Sequence, residues 1–190
     1  MSETLTDLDI RPLSDALGAE IHGVDLSQPL DDATVAAIKD AWHEHIVLLF
    51  RDQDFDSDQQ TAFAERFGDV GTRSRPPARR PEGADYNAAI MLVSNVKKDG
   101  EYIGSLPDGE VHFHSDSAFL DAPLMTLLFG VDIPSCGGNT LFANNYEAYE
   151  ELPALFAERL EDLMAVNTYD YASQVRTERL DRTKAPLAVD

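Results

Sequence analysis

The sequence predicts an α+β fold, with a strand–helix–strand–helix opening, then a run of short strands of sandwich or barrel type, and helix again near the end. Three observations predict it. Residues 46–50, Ile-Val-Leu-Leu-Phe, form a continuous apolar run of strand length between two segments with apolar residues at helical spacing. Beyond residue 110 the apolar stretches become short and are separated by Pro and Gly. A hydrophobic content of 43% over 190 residues is enough for one domain with a real core.

In chain order, residues 10–24 read as two short strands broken at Gly18 and Gly23. Asp31, Asp32 and Thr34 mark a helix start, and Val35, Ile38, Ala41 and Trp42 give that helix an apolar face. The 46–50 run is expected to be a strand buried on both faces. Asp56 and Ser57 open a second helix, Phe63 and Phe67 lie four apart on it, and Gly68 is a natural stop. Residues 71–88 change character: Arg73, Arg75, Arg79 and Arg80 interleave with Pro76, Pro77 and Pro81, which predicts a mobile loop. Residues 90–96 predict a strand and 97–100 a turn, with further strands around 111–114, 124–131 and 140–143. Residues 146–163 predict helix interrupted at Pro153, and 187–190 look like a strand cut off or about to begin.

Composition excludes several classes of function. Fifteen Lys and Arg against 35 Asp and Glu give a formal net charge of −20, with a pI near 4.4. That field repels phosphate backbones and anionic lipid, so nucleic acid and membrane surfaces are poor partners. No apolar run approaches the ~20 residues of a membrane span, and the polar start lacks the basic–apolar layout of a signal peptide. The single cysteine, Cys136, allows no internal disulfide and no Cys-based zinc site. The expectation is a cytoplasmic protein, without internal repeats, acting on small molecules.

The most informative tripeptide is His114-Ser115-Asp116. In a strand, residues i and i+2 share a face about 6.5–7 Å apart, and an imidazole and a carboxylate can lean together from there to grip one ion. Two corners of a 2-His-1-carboxylate metal face would then come from one strand end. The competing reading has His114 capping a turn beside a solvated Asp116. His22, His43 and His45 fit core-facing or helix-end positions better than chemistry. With His112 the segment also reads H-x-H-x-D, similar to the metal-binding stretch of the metallo-β-lactamase zinc hydrolases. Ser117 stands where those carry a further histidine, and an extended chain would place His112 and Asp116 about 13 Å apart.

The chain as a whole resembles the TauD/TfdA family of iron(II)- and 2-oxoglutarate-dependent dioxygenases. Leu17-Gly-Ala-Glu-Ile-His-Gly-Val-Asp-Leu26 is similar to the family's opening hairpin, and Phe50-Arg-Asp-Gln53 with Phe63-Ala-Glu-Arg-Phe-Gly68 to its next conserved stretch. His112-Phe-His-Ser-Asp-Ser-Ala-Phe119 resembles the iron-binding stretch, and Gly137-Gly-Asn-Thr-Leu-Phe-Ala-Asn144 the "GGDTLF" stretch that follows it. The resemblance covers nearly the whole chain and implies a double-stranded β-helix, a distorted jelly roll with flanking helices. It implies Fe(II) as cofactor, held by His114 and Asp116, with 2-oxoglutarate as co-substrate hydrogen-bonded by Thr140. It implies that Ser117, Phe119 and Asn95 approach the organic substrate. Asn139 replaces the family's usual Asp before that threonine. The implied reaction consumes O2 and 2-oxoglutarate, releases succinate and CO2, and hydroxylates a small acidic molecule; three protein ligands on an octahedral iron leave three positions for this chemistry.

In the family the second histidine ligand and the arginine that grips 2-oxoglutarate lie downstream of the GGDT stretch, and no histidine follows His114 here. From Asp99 through Glu158 there are eleven acids and no Lys or Arg, so a dianion needs a cation from elsewhere. The expectation is therefore the N-terminal portion of such a dioxygenase, residues 1–190, inactive alone and binding iron weakly. The alternatives are a non-catalytic remnant or the zinc hydrolase. A homo-oligomer is left open, since an unfinished sheet offers unpaired edges. The arginines between 73 and 80 could form a lid that meets an anion, but solvated side chains on a loop explain them as well.

Overall fold

Apolar and polar residues alternate along Ala19–His22, the central strand of the first sheet: Ala19 and Ile21 are buried, while Glu20 and His22 face partly outward. The computed structural model describes residues 8–71, 87, 89–105, 113–117 and 123–166. The Arg/Pro loop, His112, Phe119 and the last residues lie outside them. Contacts divide the chain into one unit of residues 1–112 with 141–144 and another of 113–140 with 145–190.

In the first unit, β1 (Asp9–Pro12) pairs antiparallel with β2 (Ala19–His22), Ile10 opposite Ile21. The connection turns at Gly18, whose φ of +91° is open to glycine without strain. On its other edge β2 pairs in parallel with β3 (Leu48–Phe50), Ala19 opposite Leu48. Parallel pairing demands a crossover, and α1 (Asp32–His45) supplies it. Asp31 caps α1 by accepting from the Thr34 N–H at 2.7 Å. Val35, Ile38 and Ala41 carry the predicted face into the core, where Leu26, Phe63 and Phe67 meet the same apolar interior.

The joint between α1 and β3 is tight. Ile46 has φ 66° and ψ −44°, and the Val47 N–H donates across it to the His45 carbonyl at 2.7 Å. This is a γ-turn of the strained hand, at a β-branched residue. The strand expected over 46–50 is therefore shortened to three residues. It is also half-buried rather than enclosed, and among the described residues the sheet order β1-β2-β3 places it at an edge.

The second predicted helix is α2 (Ser57–Glu65), opened by a reciprocal capping box: Asp56 accepts from the Gln59 N–H, and the Gln59 side chain accepts from the Asp56 N–H, each at 2.9 Å. Phe63 packs edge-on against Phe50 and Phe67, with ring centroids 6.3 and 5.1 Å apart. The motif residues Gln53 and Arg66 sew the intervening loop down. Gln53 accepts from the Leu26 N–H at 2.8 Å and donates to the Val24 and Arg51 carbonyls at 3.0 and 2.9 Å. Arg66 donates to the Leu30 carbonyl at 2.6 Å and pairs with Asp32.

Residues 90–96 are not a continuous strand. Val93 bridges Ser105, and the regular pairing is a small hairpin of β4 (Lys97–Lys98) and β5 (Glu101–Tyr102). The turn contracts to Asp99 and Gly100, both left-handed (φ 54° and 87°), as a two-residue hairpin turn requires.

In the second unit, α3 (Asn145–Glu150) and α4 (Ala154–Leu160) reproduce the predicted helix with its break at Pro153. The strands expected over 124–131 and 140–143 do not form. A strand exists only with a ladder partner, and none for these segments lies among the described residues. Leu124, Leu128, Val131 and Ile133 are instead exposed, as is Leu141, which belongs to the first unit. The α+β content stands, and the described sheets are small.

Two outcomes are expected for the first unit. Ile38 is 2% exposed, so Ile38→Ala should lower urea-unfolding stability by about 2–5 kcal/mol; an unchanged midpoint would contradict this core. The Thr34 N–H holds the Asp31 carboxyl below the usual carboxylate range. A group lowered in this way contributes stability that is complete above an unfolded pKa of about 4 and is lost as pH falls through the lower folded value. Asp31→Asn keeps the cap without the titration, so its unfolding midpoint should fall less than the wild type's between pH 5 and acid, as followed by circular dichroism.

Candidate metal centre

His114 and Asp116 lie in the second unit, within a short described stretch, residues 113–117. They are not on a strand, as expected, but at a turn: Ser117 is left-handed, with φ 51°. The side chains nonetheless converge, with His114 Nε2 3.2 Å from Asp116 Oδ1. Two donors each about 2.1 Å from one octahedral ion and at right angles stand roughly 3 Å apart. The pair therefore fits two neighbouring corners of a divalent metal, one imidazole and one carboxylate. Both side chains are about half exposed, 56% and 51%, which leaves the ion face open to small ligands.

The second carboxylate oxygen is also engaged. Thr126 Oγ1 donates to Asp116 Oδ2 at 2.7 Å, an ordinary hydroxyl hydrogen-bond length. Thr126 carries no cue at the level of sequence, since ten positions separate it from Asp116 and no local spacing links them. Among the described residues no third His, Cys, Asp or Glu joins the pair.

Thr140 is exposed in the same unit, directly after Gly137, Gly138 and Asn139. Gly137 and Gly138 are left-handed at φ 80° and 69°, so this Gly-Gly turn admits few other residues. Asn95 is exposed in the first unit, beside the Ser94–Ser105 backbone contacts. Phe119 and His112 lie outside the described residues, so of the H-x-H-x-D pattern only His114 and Asp116 are described. Arg159 is the one Lys or Arg among the described residues of the second unit.

In chain order the loop held by Gln53 and Arg66 comes first, then the converging imidazole and carboxylate, then the Gly-Gly turn before Thr140. Residues 9–188 match the model of the family described as taurine catabolism dioxygenase TauD, TfdA family, and the chain belongs to that family. It is 38% identical over 184 residues to an alkylsulfatase of Acinetobacter baylyi, with 93% of this chain and 54% of that protein covered. It is 37% identical to an alpha-ketoglutarate-dependent sulfate ester dioxygenase of Pseudomonas putida (88% and 52% covered). Identity to an alpha-ketoglutarate-dependent 2,4-dichlorophenoxyacetate dioxygenase of Cupriavidus pinatubonensis is 33% (81% and 56% covered). The chain thus spans about half the length of the curated relatives it matches. Among the described residues no helix is long and apolar enough to cross a membrane.

Proposed function

We propose that this chain carries the His-x-Asp part of an iron(II)- and 2-oxoglutarate-dependent dioxygenase that hydroxylates a small acidic organic molecule. The observation that carries the reading is the 3.2 Å approach of His114 Nε2 to Asp116 Oδ1 within the family's motif. His114 and Asp116 would hold Fe(II), which when bound supplies the site at which O2 and 2-oxoglutarate react. Thr140 would donate its hydroxyl to a 2-oxoglutarate carboxylate, and Ser117, Phe119 and Asn95 would line the way to the organic substrate. Relatives named for sulfate esters and an aryloxyacetate support an anionic substrate. The framework proposed is the double-stranded β-helix, to which the exposed apolar segments around 124–131 and 141 would contribute strands. Completion of the metal face needs a third ligand beyond this pair, and 2-oxoglutarate needs a cation beyond this acidic stretch.

Anaerobic titration with Co(II), followed by its visible absorption, tests the reading. Wild type should bind, and His114→Ala or Asp116→Ala should weaken binding at least tenfold, the scale of losing one ligand of a sparse set. Binding curves that coincide for all three proteins would refute the metal centre. Addition of 2-oxoglutarate to the Co(II)-loaded chain should change the spectrum, and Thr140→Val should need several-fold more 2-oxoglutarate for the same change, as expected for one lost hydrogen bond worth about 1 kcal/mol.

A further inference from the structure

We propose that Thr126 is a positioning residue that fixes Asp116 as a one-oxygen metal ligand. The inference rests on the reading of His114 and Asp116 as a metal pair and concerns how the carboxylate is held. Its two oxygens have separate partners: Oδ1 faces His114 Nε2 at 3.2 Å, and Oδ2 accepts from Thr126 Oγ1 at 2.7 Å. A free carboxylate can rotate about its Cβ–Cγ bond and offer an ion one oxygen or both. With Oδ2 held by the hydroxyl, rotation is restrained and Oδ1 stays on the side of the imidazole. A bidentate carboxylate would occupy an additional coordination position, one that the proposed chemistry needs for small ligands. Groups that hydrogen-bond a metal ligand from outside act in this way, and their removal commonly costs ten- to a hundredfold in affinity. Thr126 is itself exposed, so the lower end of that range applies, and its truncation leaves no buried cavity.

The test uses the full chain, Co(II) as the probe, and four proteins: wild type, Thr126→Val, Thr126→Ser and His114→Ala. Thr126→Val keeps the shape and deletes the hydroxyl. It should bind Co(II) about tenfold more weakly and show a shifted visible band, because the carboxylate changes its mode of attachment. Thr126→Ser should restore both affinity and band. Thr126→Val indistinguishable from wild type, while His114→Ala loses binding, would overturn the role of Thr126 and leave the metal pair standing. A Thr126→Val defect that Thr126→Ser does not repair would also overturn it, since the hydroxyl would then not be the cause. If His114→Ala binds as wild type does, the metal pair itself fails and the proposal fails with it.

Discussion

Hydrogen bonding along both edges of β2 is the constraint on which the first unit depends. One edge takes the hairpin partner β1 and the other the parallel partner β3. The second of these cannot form until the chain has travelled the length of α1 and returned. Ala19 is fully buried and lies opposite Leu48 in the parallel ladder. The core of Ile21, Val35, Ile38 and Phe63 then follows from the geometry of a helix laid on a narrow sheet.

The pair proposed to hold the metal is built differently. Little of it is buried, and its electrostatics are those of an acidic protein facing water. Convergence comes from a turn and from one hydroxyl rather than from a packed interior. A divalent ion placed there would reverse the local field, making an anion welcome where the bare chain would repel it.

Local chemistry was legible in the sequence, and pairing at a distance was not. Asp31 and Asp56 announced their helices because capping is settled within three residues. Gly18 marked the hairpin, and Pro153 the break between α3 and α4, for the same reason. The 46–50 run was misread as an enclosed strand because its apolar side chains do not reveal whether a second neighbour will arrive. Segments 124–131 and 140–143 have strand composition, but composition cannot supply a ladder partner. His114 and Asp116 were found through a short motif, whereas Thr126 was missed because its contact with Asp116 depends on the path of the chain between them.

The side chain of Gln53 fills the place of a missing backbone rung. Its amide presents an acceptor to one strand of the loop and donors to two carbonyls, a combination no carboxylate can reproduce. Slow chemical ageing of that amide to the acid would therefore set a negative oxygen against the Val24 and Arg51 carbonyls. One hydrolysed bond would turn a clasp into a wedge, and the loop would come away from the sheet at the point where it is now most firmly held.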